Sequence, residues 1–312
     1  MRILFMGTSE FAIPTLEMIR HSRWHLLGVV TQPDRPRGRG RKLSAPPVKK
    51  FLMGSETPVY QPAASQEIAE LLAREALQPD VIVVVAYGVV LPSQVLGLPP
   101  LGCVNLHPSL LPAYRGAAPL QRAIINGETR TGITTMYLSE ELDAGDIILQ
   151  EEIEIAPDMT YGELADIASK KGASLMFKTL SLIEEGKAPR FPQDHSKATY
   201  APPLRPEEER IDWKQDAKRI CNKVRGMNPQ PGAYTLFKGN VLKIWGAKPV
   251  EGNSGQFMPG QVVDADPKSG FSVQTGDGRI VVTEVQPFGR KRMSSAEFVR
   301  GYKIYQGLTL GE

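Results

Sequence analysis

Residues 81–86 read Val-Ile-Val-Val-Val-Ala. A run that is apolar at every position, rather than at alternate ones, describes a strand covered on both faces. Met1–Met6 and Leu101–Leu106 have the same character. Parallel neighbours need crossovers, and crossover helices are what cover both faces of such a sheet. Helical patterns fall in the intervals, at Glu10–Arg20, at Ser65–Ala76 with Ser65 as N-cap, and at Leu120–Asn126. Further strands are expected at Trp24–Thr31, Pro58–Tyr60, 131–138 and 146–155, the last two closing the sheet. A short helix is expected over 44–53 and a long one over Tyr161–Glu185. The expected class is α/β, with a Rossmann-like, open and mostly parallel sheet between two helical layers.

From Lys187 to Pro206 the texture changes, with prolines at 189, 192, 202, 203 and 206 and little apolar periodicity. This reads as a surface linker. The expected domains are therefore 1–188, a linker over 189–208, and 209–312. The last domain opens with a basic helix near Gln215–Arg225. Short strand-like runs follow at 232–237, 241–247, 260–265, 270–275 and 279–286, with Gly, Asn and Asp turns between them. Several short strands at that spacing suggest a small closed barrel.

The 312 residues carry a net charge of +3, which excludes a polycation, but the charge is unevenly spread. Residues 209–312 hold 16 Lys and Arg against 10 Asp and Glu, whereas residues 1–208 hold 21 against 24. A basic C-terminal part suits either a solvated surface or a polyanionic partner. Cys103 and Cys221 are far apart, so neither a disulfide framework nor a Cys-x-x-Cys metal site is expected. The chain opens on a strand-like MRILFMG, and its longest apolar run, Val81–Leu91, is well short of the roughly 20 residues of a membrane span. The expectations are a cytoplasmic location, a monomer, and no membrane or DNA partner.

Chemistry concentrates after strand ends. Asn105 and His107 are two apart on a strand and so face one side. Asp143 lies between the two closing strands. An amide donor, an imidazole and a carboxylate suit transfer of an acyl-type group to an amine, which must stabilise a developing oxyanion and move a proton. Each residue also has a plainer reading: Asn105 as a strand-end hydrogen bonder, His107 as a structural loop histidine, Asp143 as a turn former before Gly145. There is no serine nucleophile elbow, P-loop or His-Glu-x-x-His. Gly7-Thr8-Ser9 is not Gly-x-Gly-x-x-Gly, so a dinucleotide is not supported.

The string Asn105–Pro119, NLHPSLLPAYRGAAP, resembles the signature of folate-dependent formyltransferases, whose core is Asn-x-His-x-Ser-Leu-Leu-Pro-x-x-Arg-Gly. LDAGDI at 142–147 is similar to the family's second block. The resemblance implies that Asn105, His107 and Asp143 form the catalytic group and that 10-formyltetrahydrofolate is the formyl donor, with no metal. It implies that Ser109, Leu110, Leu111 and Pro112 lie at the folate site. Ala86, Tyr87, Gly88, Val89 and Val90, in the stretch 86–92, would line the pterin pocket. It also implies an oligonucleotide/oligosaccharide-binding (OB-like) barrel at the C-terminus.

Members of that family formylate a purine precursor, nucleotide-linked amino sugars or methionyl-tRNA. The chain length and the N-terminal Met6-Gly7-Thr8-x-x-Phe11 resemble the branch that acts on initiator methionyl-tRNA. The loop 33–48 carries Arg35, Arg37, Arg39, Arg41 and Lys42 against the single acid Asp34. It matches the loop that this branch places at the tRNA acceptor arm, although a basic loop by itself is commonly just solvated. Lys214, Lys218, Arg219, Lys223 and Arg225 mark the leading helix of the C-terminal domain, and Arg290-Lys291-Arg292 forms a second cluster. Lys218 and Lys223 join the loop residues as expected tRNA contacts. The rival readings are a nucleotide-sugar N-formyltransferase and a non-catalytic RNA- or folate-binding protein.

Overall fold

The computed structural model describes residues 1–37, 42–250, 252 and 256–312. In chain order the first elements are β1 (Arg2–Gly7), a 3-10 turn at Glu10–Ala12, α1 (Ile13–Arg20) and β2 (His25–Val30). A small ribbon of β3 (Arg35–Arg37) and β4 (Lys42–Ser44) precedes α2 (Pro47–Phe51) and β5 (Val59–Tyr60). Then come α3 (Glu67–Arg74), β6 (Val81–Val85), α4 (Ser93–Leu96), β7 (Cys103–His107) and α5 (Pro119–Asn126). β8 (Arg130–Tyr137), β9 (Ile147–Glu154) and α6 (Tyr161–Glu184) follow.

The chain forms two compact units. The first comprises Met1–Pro119, Arg130–Glu154 and Ala165–Pro202; the second comprises Leu120–Thr129, Ile155–Leu164 and Pro203–Glu312. Two segments that a linear division gives to the N-terminal domain, 120–129 and 155–164, thus belong to the second unit. Most of the proline-rich stretch belongs to the first. It is tied there by backbone pairing of Phe191 with Ile147 and of Arg115 with Thr199 and Ala201.

The first unit is built on a seven-stranded sheet in the order β5-β2-β1-β6-β7-β8-β9. Strands β5, β2, β1, β6 and β7 are parallel, and β8 and β9 run antiparallel to their neighbours. β6 is buried at every residue, as its composition requires. On one face Leu4, Met6, Ile82, Val84 and Cys103 pack with Ile68, Leu71 and Leu72 of α3 and Val95 of α4. Each such aliphatic side chain contributes about 1.5–3 kcal/mol when buried. On the other face α6 crosses β7 so closely that a Cβ on Gly172 would lie 2.5 Å from the Leu106 side chain. Glycine lets the helix seat there.

Strand order reverses between β1 and β6, and ligands of open α/β sheets commonly bind outside the carboxyl ends of the strands near such a point. Here Thr8 N–H donates to the Ala86 carbonyl (3.2 Å) and Thr8 Oγ1 to the Tyr87 carbonyl (2.8 Å). The loop after β6 is therefore pinned to the loop after β1.

The second unit holds α7 (Ala217–Gly226) and strands β10 (Tyr234–Phe237), β11 (Asn240–Val250), β12 (Val262–Asp266), β13 (Gly270–Gln274), β14 (Arg279–Pro287) and β15 (Met293–Ser294), then α8 (Ser295–Gly301). The antiparallel sheet runs β10-β11-β14-β13-β12, with β15 on β14. Its two ends are joined by the tail. Leu310 N–H donates to the Gly260 carbonyl beside β12, and Gly311 N–H to Leu236 of β10, both at 2.8 Å. The barrel expected from strand spacing is thus closed by an irregular segment. Ile220 and Val224 of α7 and the rings of Phe237, Phe271 and Phe298 fill its core.

Candidate active site

β7 places Asn105 and His107 on the same face as Cys103, the face that α3 and α4 cover further down the strand. At the strand's carboxyl end that cover stops. Asn105 is half-buried and its amide has no protein partner among the described residues. His107 is 4% exposed, and its Nε2 lies 3.0 Å from the Tyr114 carbonyl oxygen. A carbonyl only accepts, so Nε2 carries the hydrogen. The other ring nitrogen, Nδ1, lies 3.6 Å from Oδ2 of Asp143.

Asp143 reaches this point from the loop between β8 and β9. Its φ is +49°, in the left-handed region that Asp and Asn tolerate better than most residues. The carboxylate is fixed by the Gly116 N–H, which donates to Oδ2 at 2.8 Å. Gly116 itself has φ +119°, and a Cβ there would stand 2.8 Å from the Ala201 carbonyl. The motif residue after Arg115 therefore has to be glycine for the chain to approach this closely.

The turn after His107 is held from within. Ser109 is fully buried and its hydroxyl donates to the Ala113 carbonyl at 2.6 Å. Thr134 Oγ1 donates to the Ser109 carbonyl at 2.7 Å, and Gln150 Nε2 donates to the Leu111 carbonyl at 2.9 Å. Leu111 is buried, while Leu110 and Pro112 are half-buried. Within 109–112 the serine hydroxyl and the Leu111 side chain thus serve the turn.

At the switch point Ala86 (φ +45°) and Gly88 (φ +79°) swing the backbone outward. The Tyr87 ring turns into the core, where burial pushes its phenol up to about 12. Its carbonyl accepts from Gln32 Nε2 at 2.8 Å. Ala86 and Gly88 are exposed, Val89 is half-buried, and Val90 is 72% exposed.

Arg35 is exposed on the ribbon. Arg37 and Lys42 pair across it through their backbones, and Arg39 and Arg41 lie outside the described residues. Asp34, the loop's one acid, is already engaged. Gln61 and Lys49 both donate to its carboxylate, which they hold below the usual range. It is not free to neutralise the neighbouring arginines. Lys218 is exposed on α7. Lys223 differs: its ammonium donates to the Arg210 carbonyl at 3.0 Å, and burial pulls its pKa down.

Sequence reasoning assigned no role to Gln193 or Arg115, which stand directly behind Asp143. It also passed over Phe288, 72% exposed in the connection between β14 and β15 beside Arg290 and Lys291. An exposed phenylalanine next to two cations is a signal that the sequence does carry, once the turn is known.

With this geometry in view, two family models match: formyl transferase over residues 1–180, and the formyl transferase C-terminal domain over 203–303. The chain belongs to the formyl transferase family. It is 50% identical over 311 residues to the methionyl-tRNA formyltransferase of Moorella thermoacetica, covering 100% of this chain and 99% of that protein. The fold is similar to that of the Helicobacter canadensis N-formyltransferase crystallised with folinic acid and dTDP-3-aminofucose. The TM-score is 0.68 at 18% identity, covering 92% of this chain and 99% of that one. It is also similar to the methionyl-tRNA formyltransferase structure from Clostridium thermocellum, with a TM-score of 0.56 at 17% identity, covering 81% of this chain and 95% of that one.

Proposed function

We propose that this chain is a methionyl-tRNA formyltransferase that moves the formyl group of 10-formyltetrahydrofolate to the α-amine of methionyl-initiator tRNA. The observation that carries the chemistry is the buried His107, one nitrogen tied to a carbonyl and the other turned to Asp143. The exposed Val90 and the outward backbone of Ala86 and Gly88, at the sheet's switch point, fit a flat heterocycle. The folate supplies an activated formyl carbon.

The acceptor amine has an ordinary pKa of about 8, so a sizeable neutral fraction is present near pH 7. As its nitrogen bonds to the formyl carbon, the amide of Asn105 donates to the oxygen that gains charge. His107 takes the amine's proton on Nδ1, and the Asp143 carboxylate beside it stabilises the imidazolium. The same proton then passes to the nitrogen that leaves, so nothing is gained or lost overall. Arg35, Arg37, Arg39, Arg41 and Lys42 hold the acceptor arm through phosphates. Lys218 and the Phe288–Lys291 connection add contacts from the second unit, with the Phe288 ring exposed for stacking on a base, while Lys223, bonded to the Arg210 carbonyl, is left out of that set.

The test is direct. Protein, 10-formyltetrahydrofolate and Met-tRNA should yield formyl-methionyl-tRNA, and His107→Ala should lower turnover by about 10²–10⁴-fold. Its tRNA affinity should stay within about twofold, because phosphate contacts supply most of that binding. Near-wild-type turnover by His107→Ala would remove the catalytic assignment. Efficient formylation of a nucleotide-linked amino sugar, with none of tRNA, would move the acceptor to the rival class.

A further inference from the structure

We infer that Gln193 is a positioning residue for Asp143, and that the buried Arg115 is the anchor that aims it. This rests on the catalytic role proposed for Asp143. Arg115 is 1% exposed, and burying a guanidinium is costly unless its donors are met. Its Nε and Nη2 both donate to Gln193 Oε1, at 3.2 and 2.8 Å. Its Nη1 lies 3.6 Å from the Glu141 carboxylate.

With the oxygen of Gln193 committed to the arginine, the amide can point only one way. Its Nε2 donates to the carbonyls of Asp143 (2.9 Å) and Gly145 (2.8 Å). One side-chain amide therefore bridges both ends of the turn that holds Asp143 in its left-handed conformation. The residue after Arg115, Gly116, fixes the Asp143 carboxylate through its N–H. Arg115 is itself held by backbone bonds to Thr199 and Ala201, at 2.8 and 2.7 Å. Carbonyl and carboxylate of Asp143 are thus both set from one dipeptide, directly on one side and through Gln193 on the other. A hydrophobic residue of similar volume would fill the space behind the loop more cheaply than this buried charge. What the polar network adds is a defined direction for Asp143.

The experiment is steady-state kinetics on Gln193→Leu and Gln193→Glu, alone and combined with Asp143→Asn. The glutamate variant keeps an acceptor for Arg115, and so keeps the anchor, while losing both bonds to the loop. Each single variant should lose about tenfold or more in kcat with both KM values within about twofold, since small misplacements of a reacting group are paid in rate. In the Asp143→Asn background, Gln193→Leu should cost less than about twofold further, because residues acting through one another are not additive. Gln193 variants with kcat within twofold of wild type would overturn the inference, as would a loss that simply adds to that of Asp143→Asn. A near-wild-type Asp143→Asn enzyme would instead overturn the catalytic assignment beneath it.

Discussion

Asp143 sits where most side chains collide with their own backbone, and it also accepts the Gly116 N–H. Its identity therefore answers two demands, and they can be separated. Asp143→Asn keeps an acceptor oxygen and the tolerance for this conformation, so its stability should stay within about 0.5 kcal/mol of wild type while turnover falls. Asp143→Ala loses both and should unfold about 1–3 kcal/mol more easily. Urea denaturation of the two variants decides this, and equal stability would show that the conformation demands nothing of the side chain. As candidates, Asn105 and His107 are legible through strand alternation and the string 105–119, and Asp143 through the string 142–147 alone. Gln193 and Arg115 are not. Their bonds span 78 residues to each other and 50 from Gln193 to Asp143, and nothing in local periodicity reports a partner that distant.

Among elements, the continuous apolar strands and amphipathic helices of the first unit are visible because burial on both faces writes itself into every residue. The β3–β4 ribbon reads in the sequence only as a basic loop, since alternating glycine and arginine hide its pairing. Helix α8 carries a local start signal, the capping box of Ser294 and Glu297, but is too short for apolar periodicity to mark it as well. The closing tail carries no periodicity, and only its hydrogen bonds give it away. One pairing between elements has a pH signature. Arg122 of α5 grips Glu208 with two donors, at 2.6 and 3.0 Å, and holds its carboxyl at about 2 rather than the ordinary 4.5. A carboxyl lowered on folding stabilises the folded state fully above 4.5, and that contribution is lost as pH falls through about 2. Glu208→Gln should therefore be less stable than wild type at pH 7, with the gap closing on acidification towards pH 2. Thermal unfolding across that range measures it, and a gap independent of pH would exclude this pair as its source.

For the whole molecule, charge decides how a polyanion would meet it. No helix among the described residues is long and apolar enough to cross a membrane. The excess of cations lies in residues 209–312 and in the short stretch 35–42, while the remaining sequence is acidic on balance. Such a distribution favours a partner that is held through phosphates, and it leaves the rest of the surface unattractive to nucleic acid. The logarithm of tRNA affinity should then fall linearly with that of salt concentration. Replacing Lys218 or Lys291 by Ala should each reduce the slope by about one. Filter binding at several salt concentrations tests this, and slopes unchanged in both variants would place the RNA elsewhere.

A histidine with Nε2 tied to the Tyr114 carbonyl has a single working nitrogen. Under the proposed mechanism the hydrogen is taken up and given back at Nδ1, and the ring then needs neither a flip nor a tautomer exchange between turnovers. That mechanism requires the attacking and the leaving nitrogen each to come within reach of Nδ1, the one ring nitrogen not bonded to a backbone carbonyl.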